Sequence, residues 1–532
     1  MSPDKHVSGV GETQPLLTNT HSQSIVGTSA SDGAALQRDY TYQGFFSTVF
    51  LIFNRIIGTG IYATPSLILH ASGSVGVSLL VWVLGACLAA VGTAVYIELG
   101  TGLPRNGGDK NYLEFMYRRP KFLVTCIYST YSFLIATALV TNSIVFGDYT
   151  VNALALPPSA FLTRVLALSI LAFSVFMHGC VMNWGLRLQN ALGLFKLGVL
   201  SAVAIAGVLS LAGVPGFSVR PEYDRPRNFE WKLMWEGTGT GTNALASAVY
   251  NVLWSFSGFA NANSSLSEIK DPVRTLSRAA PIAMAFVTFV YMFVNVAYFA
   301  VVSKTDILES ERIVAALFFR NLFGPTTERT LSALIALSVL GNLLSAQFAL
   351  SRGVQELGRE GILPNSKFFA SNKPFNAPLA ALLTLFIVSC AMMLAAPAGD
   401  AYLFMISWAG YSTALMFTAV SLGLLLLHTP AYRLWNWDPP FRSPKVVNVL
   451  FFLSNVFLVV IPLVPPTNTR VYNHLPYWSH PVASFVVPFL GVAYWYIWFI
   501  VLPRRRGYKL ERVWVLQDDG VSRYAFRKVP LT

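Results

Sequence analysis

Two glycine-containing stretches inside apolar segments hold the residues of this sequence that are best placed to do chemistry. The first stretch runs from Asn54 to Tyr62 and has Gly58 and Gly60 near the middle of its segment, and the second runs from Trp254 to Phe259. A helix that breaks inside a membrane leaves backbone amides and carbonyls unpaired, which is costly unless a ligand or the protein satisfies them. Each stretch therefore predicts a broken helix and a polar binding site at the break.

The first break would suit a carboxylate. A half-helix that begins at Thr59 and Gly60 offers amide hydrogens and the positive end of its dipole to an anion. The alternative is that Gly58 and Gly60 form a small-residue face for close helix packing, which is common in membranes. The second stretch predicts a break at a corresponding depth, and this match favours a binding site over simple helix packing.

Backbone carbonyls at the two breaks would suit an ammonium group. Those that end the half-helix near Ile56 and Ile57, together with those near Trp254 and Ser255, can accept its protons. A ligand with both charges, such as an amino acid, would satisfy both kinds of backbone group. Because Trp254 lies directly beside the break, we also predict a gating role for its ring, whereas the other aromatic residues are expected to pack.

Two cations lie inside predicted membrane segments. Lys196 lies roughly nine residues into its segment, hence ~14 Å along the helix axis and near the bilayer centre. An ionisable residue at that depth marks a functional site, and we expect Lys196 to touch the broken backbone of the first segment. The alternative is that its segment begins later and places it at the cytoplasmic interface. Arg55 is expected either to pair with Glu268 or to reach lipid headgroups.

The elements that position these residues are membrane helices. Hydrophobic residues make up 54% of the 532-residue chain and charged residues only 12%, against about a quarter in soluble domains. Apolar runs long enough to cross a ~30 Å hydrocarbon core recur throughout. They predict twelve spans, at 44–70, 76–100, 121–147, 161–181, 187–211, 244–266, 279–303, 329–350, 377–396, 400–427, 446–465 and 481–502.

These spans predict an all-α integral membrane protein with a transporter domain at 44–502. A polar, disordered tail at 1–43 and a basic tail at 503–532 would both be cytoplasmic. The breaks fall in the first and sixth spans, which is typical of transporters built from inverted five-helix repeats with the site at the break. The outer loop 304–328 is predicted to form a short amphipathic helix around 311–322 that covers the outer vestibule.

The distribution of charge sets the orientation. With the N-terminus in the cytoplasm, cytoplasmic segments hold 26 of the 38 Lys and Arg residues and outer segments hold 9, which is the positive-inside bias. The net charge of +13 collects next to helix ends, at Arg105–Lys121, Lys270–Arg278, Arg352–Lys373 and Arg504–Lys528. Water and lipid headgroups explain these clusters better than nucleic acid does. We expect membrane lipid as a partner and no nucleic acid.

The sequence gives no indication of an enzyme, a metal site or a cofactor. The four cysteines all fall inside apolar runs and read as small buried residues, and the seven histidines are scattered without catalytic or metal-ligand spacing. An integral-membrane enzyme would need convergent acid, base or metal groups. No such set is predicted.

Several motifs in combination carry a family resemblance. They are Phe53–Tyr62, Ser72–Gly76, Pro104–Phe115, Arg118–Lys121, Ser267–Pro272 and Gly358–Gly361. With these motifs the sequence resembles the amino acid, polyamine and organocation transporter superfamily, and within it the L-type amino acid transporters and especially fungal methionine permeases. The resemblance covers residues 44 to about 430 well and the last two spans weakly.

The resemblance implies a LeuT-like bundle of two inverted five-helix repeats plus two further helices, with helices 1 and 6 discontinuous. It implies a carboxylate site on Gly58, Thr59, Gly60 and Ile61, ammonium-binding carbonyls at Ile56, Trp254 and Ser255, and an aromatic gate at Trp254. Ser257 and Gly258, in the second break, complete the predicted substrate site. Lys196 takes the place of the lysine that stands where sodium-coupled relatives bind an ion, which implies sodium independence with proton coupling or exchange.

Two departures from the family refine these expectations. The loop from Gly147 to Ala160 has no cysteine, so the disulfide to a heavy chain found in animal L-type transporters is not available. Leu344 replaces a polar residue that L-type members can carry near the substrate, which favours an apolar side-chain pocket suited to methionine or another large neutral amino acid.

The predicted function is sodium-independent, proton-coupled transport of such amino acids, with the plasma membrane as the expected location. The alternatives are an amino acid exchanger and a non-transporting nutrient sensor on the same fold. Sensors of this kind often carry long soluble extensions, and the predicted tails are short.

Overall fold

The structure of this protein is a computed structural model. It describes residues 44–530 except 105–106, 239–240, 311–312, 398, 431, 433–435, 466–470 and 517–521, and it gives no side-chain description at 54, 261, 265, 267–268, 514–516 and 522–524. The predicted N-terminal tail at 1–43 lies outside the described residues.

Helices form almost all of the described chain. Those of the first half are α1 (Phe45–Ile56), α2 (Gly60–Ser72), α3 (Val75–Gly102), α4 (Asp109–Met116), α5 (Leu123–Leu134), α6 (Thr137–Ala153), α7 (Ala160–Gly179), α8 (Met182–Leu211), α9 (Trp231–Trp235), α10 (Thr242–Ser255) and a 3₁₀ helix (Asn261–Glu268). Those of the second half are α11 (Pro272–Val301), α12 (Lys304–Glu309), α13 (Val314–Phe323), α14 (Pro325–Arg359), α15 (Ser366–Ala370), α16 (Leu379–Ala395), α17 (Ala401–Leu427), α18 (Lys445–Val460), α19 (Ser479–Trp495) and α20 (Leu502–Arg506).

Within the described chain, nine helical segments are long and apolar enough to cross a membrane. The other three predicted spans appear as the interrupted pair α1 and α2, the interrupted pair of α10 and the 3₁₀ helix, and the 17-residue α16. The helical membrane architecture is thus confirmed. The count of twelve spans and the inverted repeat stay predictions.

Local sequence signals set several helix ends. Ser74 and Ser159 cap the starts of α3 and α7 by accepting hydrogen bonds from the amides of Val77 and Leu162, each at 3.4 Å. Gly73 ends α2 in the left-handed conformation with φ 74°, which glycine adopts without strain. Proline begins α11 and α14, where the missing amide hydrogen removes no hydrogen bond.

Aromatic side chains fill the core beside the two breaks. The ring centroids of Trp82 and Tyr291 lie 5.6 Å apart, and those of Phe256 and Tyr291 lie 5.1 Å apart, in edge-on arrangements. On the outer surface, Phe46, Phe161 and Phe489 are each more than 75% exposed to the surroundings. Large apolar residues are stable in such positions when lipid is the solvent.

The helix predicted in the loop 304–328 is present as α13, but it is buried within the protein on almost all sides. Both of its faces are buried against neighbouring helices, with Phe318 and Leu322 almost inaccessible. Its buried Asn321 donates a hydrogen bond to the carbonyl of Val301 at 3.0 Å, which satisfies the polar side chain. The segment is therefore part of the packed protein.

The C-terminal basic tail contains a β-hairpin that the sequence analysis did not predict. Strands β1 (Tyr508–Leu516) and β2 (Ser522–Pro530) pair antiparallel, with Tyr508 opposite Pro530. Gly507 ends α20 with φ 63° and so separates helix from strand. The amide of Phe526 donates to the carbonyl of Glu360 at 3.2 Å, so the hairpin is docked on the end of α14.

Candidate functional site

The two helix breaks lie directly against each other. A Cβ atom built on Gly60 would lie 2.7 Å from the Cα of Ser255, so only glycine permits this approach. The hydroxyls of Thr64 and Ser255 are 3.0 Å apart and hydrogen-bond across the same contact. The helices α2 and α10 thus meet at the point where α10 ends.

A second contact joins the breaks on the other side. Gly258 has a φ of 127°, and a Cβ built on it would lie 3.3 Å from the carbonyl oxygen of Arg55. The end of α1 therefore packs against the interrupted part of the sixth span. Ser257, between these contacts, is exposed, whereas Trp254 is half-buried.

The amides at the start of α2 are available for a ligand. Gly60 and Ile61 begin the helix, so their amides have no acceptor within its first turn. None of the described backbone-to-backbone hydrogen bonds outside the helices uses the amides of residues 58 to 61, although the backbone of Gly58 hydrogen-bonds the Tyr291 hydroxyl. Thr59 and Ile61 are buried and Gly58 is half-buried, which makes Gly58 the most accessible point of this segment.

Tyr291 on α11 bridges the carbonyls of both breaks. Its hydroxyl lies 3.1 Å from the carbonyl oxygen of Ile56 and 3.0 Å from that of Ser255, so it donates to one or the other. The carbonyl of Trp254 accepts from the amide of Ser257 at 3.1 Å. Of the three carbonyls predicted to bind an ammonium group, that of Trp254 has a protein donor, and those of Ile56 and Ser255 share the single proton of Tyr291.

Sequence reasoning did not find Tyr291. The available signal was general, since a buried tyrosine hydroxyl usually needs a hydrogen-bond partner. The sequence did not indicate which partner that would be.

Lys196 on α8 contacts the first break. Its ammonium group donates to the carbonyl oxygen of Ile57 at 2.5 Å, and the side chain is only 3% exposed. This is the contact that the sequence analysis expected, and a buried lysine does not reach the headgroups in this conformation. Arg55 is half-buried, and the side chain of its suggested partner Glu268 lies outside the described residues.

A polar pair missed by sequence reasoning lies beside Gly58. The side-chain amide of Asn342, on α14, donates to the side-chain oxygen of Asn142, on α6, at 2.7 Å. A Cβ built on Gly58 would lie 2.8 Å from the Asn342 nitrogen. Leu344, which favoured an apolar pocket, is fully buried two residues further along α14. The surroundings of Gly58 are therefore partly polar.

The described residues include no cluster of three or more His, Cys, Asp or Glu side chains that could hold a metal ion. The four cysteines are unpaired thiols. Cys126 is buried as expected, but the expectation is wrong for Cys87 and Cys180, which are exposed on the apolar surface of the helices. What the breaks offer is a set of backbone donors and acceptors of opposite polarity within a few residues of one another. Such an arrangement can bind a small zwitterion reversibly through its two charges. No covalent bond in the ligand is broken.

Comparisons with known proteins agree with this chemistry. The sequence profile of the amino acid permease family matches residues 44–488. The chain is 40% identical to the high-affinity methionine permease of Saccharomyces cerevisiae, over 91% of this chain and 84% of that protein. It is 30% identical to the low-affinity methionine permease of the same yeast, over 90% of this chain and 86% of the relative.

A more distant relative comes from an animal. The human Asc-type amino acid transporter 1 is 30% identical over 86% of this chain and 83% of its own length. These relatives are transporters and not enzymes.

Proposed function

The chain belongs to the amino acid permease family, and on that premise we propose that it is a sodium-independent carrier of neutral L-amino acids with methionine as its preferred substrate. The observation that carries this proposal is the contact between the two broken helices at Gly60 and Ser255. It brings backbone donors and backbone acceptors within the reach of one small zwitterion. Both relatives from yeast are methionine permeases, which supports the choice of methionine.

The substrate carboxylate binds the amides of Gly58, Thr59, Gly60 and Ile61 at the positive end of α2. The ammonium group binds the carbonyls of Ile56, Trp254 and Ser255, each of which keeps a second lone pair beside its present partner. Ser257 and Gly258 line the site, and Trp254 acts as its gate. The exposed Ser257 supports an entry path to the break from the side of the 3₁₀ helix.

The side chain of the substrate lies beside Gly58. Asn142 and Asn342 flank that point, so the pocket combines a polar pair with apolar walls. Methionine suits such a pocket because its thioether is apolar and also a weak hydrogen-bond acceptor.

Lys196 replaces a sodium ion in this proposal. A fixed ammonium group on the carbonyl of Ile57 neutralises the end of α1, as a bound cation would in a sodium-coupled carrier. Transport then needs no sodium, and the driving ion is the proton.

The twelve predicted spans form two inverted five-helix repeats and two further helices, with both termini in the cytoplasm of a cell that carries the protein in its plasma membrane. The positive-inside bias supports this orientation. No heavy chain is linked by a disulfide, because the segment from Gly147 to Ala160 has no cysteine.

Uptake by purified protein in liposomes tests the proposal. Labelled methionine should accumulate in empty, sodium-free liposomes when the outside is acidified. Accumulation only in liposomes preloaded with amino acid would establish an exchanger instead. Binding of methionine with no uptake in either case would establish a sensor.

A further inference from the structure

A cavity of about 370 Å³ lies where the last span meets the C-terminal hairpin. Three segments line it, namely the start of α5, the end of the last span and strand β1. Its polar lining includes three cations, Lys121, Arg504 and Lys509. None of the residues at the helix breaks lines it, so it is separate from the proposed amino acid site.

The positive charge of this cavity favours the binding of an anion. Its lining residues include no carboxylate, while the three cations come from three different segments of the chain. Lys509 pairs with Glu511 at 3.0 Å, but its side chain is 66% exposed, and such surface pairs contribute little. Like charges held around one concave surface raise the local positive potential, and a bound anion relieves it.

The apolar part of the lining points to a lipid. Trp495 and Tyr508 line the cavity, and aromatic residues of these types collect at the membrane–water boundary. The last span, Ser479–Arg506, is the least covered of the candidate spans, with only 11% of its apolar window buried in the protein. Acyl chains can therefore lie along it, directly beside the three cations.

The cavity is held in shape by contacts that involve no ligand. The indole nitrogen of Trp495 donates to the carbonyl of Lys121 at 2.9 Å. The Phe122 ring lies 5.3 Å from that of Phe499 and 4.7 Å from that of Phe526 on β2, measured between centroids. These contacts fix the floor of the cavity, and a preformed site loses less conformational freedom on binding.

We propose that this cavity binds the headgroup of one anionic phospholipid of the cytoplasmic leaflet, with the phosphate at Lys121, Arg504 and Lys509 and the acyl chains along the last span. Basic pockets at the cytoplasmic ends of membrane helices bind anionic headgroups in this way. The lipid joins the hairpin to the membrane domain. The leaflet follows from the proposed topology, whereas the site does not depend on which amino acid is carried.

The neighbouring contacts make the hairpin a fixed part of this site. Arg512, three residues after Lys509, pairs with Glu114 of α4 at 3.1 Å and lies 3.8 Å from Glu360 at the end of α14. Burial alone would raise the pKa of Glu114, but Lys110, Arg512 and the hydroxyl of Thr125 together hold it below its usual value. This ion cluster keeps Lys509 beside Lys121 and Arg504.

Native mass spectrometry of the purified full chain tests the proposal. The probes are phosphatidylinositol, phosphatidylserine, phosphatidylcholine and inorganic phosphate, added to the parent, to a cavity variant (Lys121→Gln, Arg504→Gln, Lys509→Gln) and to a control variant (Arg505→Gln, Arg506→Gln, Arg527→Gln). The control loses the same charge from exposed residues that do not line the cavity. We expect one tightly retained anionic lipid in the parent and in the control, and at least about tenfold weaker binding in the cavity variant.

Each other outcome overturns the proposal. Equal loss in both variants would mean diffuse surface attraction, equal retention of phosphatidylcholine would mean an apolar groove, and competition by inorganic phosphate would mean a simple anion site. If the cavity variant does not fold, a photoactivatable phosphatidylinositol on the parent decides the matter. Adducts near Lys121 and within 495–510 support the site, and adducts elsewhere refute it.

Discussion

The ammonium group of Lys196 lies 2.5 Å from the carbonyl oxygen of Ile57, the residue that follows the last turn of α1. A cation on a carbonyl at the end of a helix is stabilised by the helix dipole and satisfies an acceptor that the break leaves without an amide. The contact is buried, so water cannot replace it. Lys196 therefore stabilises the conformation of the first break.

Lys196→Met should reduce methionine uptake at least about tenfold, because the loss of a buried donor leaves the Ile57 carbonyl unsatisfied at a cost of roughly 1 to 3 kcal/mol. Arg187→Met is the matched control, since it removes a positive charge from an exposed position of the same helix. The measurement is initial uptake in sodium-free liposomes. Full activity of Lys196→Met, or a sodium requirement in the parent, would show that Lys196 does not replace the ion.

Tyr291→Phe should raise the KM for methionine about fivefold with little change in expression. The ring and its packing against Trp82 remain, whereas the hydroxyl that holds the carbonyls of Ile56 and Ser255 is lost. A fivefold rise in KM corresponds to about 1 kcal/mol, which is the net contribution of one hydrogen bond. Concentration-dependent uptake gives the KM. An unchanged KM would mean that the hydroxyl serves only to fill the core.

Gly58→Ala should impair uptake because its methyl group would meet the side chain of Asn342 at 2.8 Å. In the double variant with Asn342→Ala the space is restored. Gly353→Ala, on the same helix as Asn342 and with open space around it, is the control for added helix propensity. A double-mutant cycle, measured on uptake and on melting temperature, separates a packing role of Gly58 from a role in the substrate site.

Because Asn342 itself flanks the proposed pocket, the double variant is compared with Asn342→Ala alone. If Gly58 only permits packing, the double variant matches Asn342→Ala in both stability and KM. If Gly58 also lines the substrate site, as proposed, stability matches while the KM for methionine stays higher than in Asn342→Ala. An equal KM in these two variants would therefore remove Gly58 from the site.

Asp109, at the start of α4, should make stability depend on pH. Burial raises the pKa of its carboxyl from 3.8 to about 6, and the hydrogen bond from the Tyr96 hydroxyl opposes this in part. A carboxyl with a raised folded pKa supports the fold fully only below its unfolded pKa, and this support is lost as the pH rises through about 6.

Asp109→Asn should therefore melt at a higher temperature than the parent at pH 8, by the equivalent of about 3 kcal/mol for a pKa raised from 3.8 to about 6, and the two should converge only below the unfolded pKa, at about pH 3.5. Thermal unfolding followed between these values provides the comparison. A constant difference across the range would mean that the carboxyl does not titrate in the folded protein.

The positions of the two breaks could be predicted from the sequence because glycines and small polar residues inside long apolar runs are a local signal. Lys196 could be predicted from its depth, since a lysine inside a membrane helix must find a partner. Tyr291, Asn142 and Asn342 could not, because their role depends on which helix faces which break. That is set by tertiary packing, and one sequence does not encode it in any local pattern.

Two further results had no clear local signal. The C-terminal hairpin has strands of nine residues each. Basic side chains interrupt the alternation of apolar and polar residues in these strands, so the pattern that is typical of a strand is not evident in the sequence. At Gly60, the sequence could not distinguish access for a carboxylate from close packing. A Cβ atom built on residue 60 would lie 2.7 Å from the Cα of Ser255, so Gly60 is needed for close packing, and a larger residue there would disturb the fold as well as the site.

The most direct test of the account is competition against uptake of labelled L-methionine into sodium-free, acidified liposomes. Unlabelled L-methionine and L-leucine should inhibit strongly, whereas L-lysine and L-glutamate should not. Methionine methyl ester and N-acetylmethionine should also fail, because each lacks one of the two charges that the broken helices are proposed to bind. Strong inhibition by lysine, by glutamate or by either blocked methionine, with none by leucine, would contradict a neutral amino acid site built from the backbone at Gly60 and Ser255.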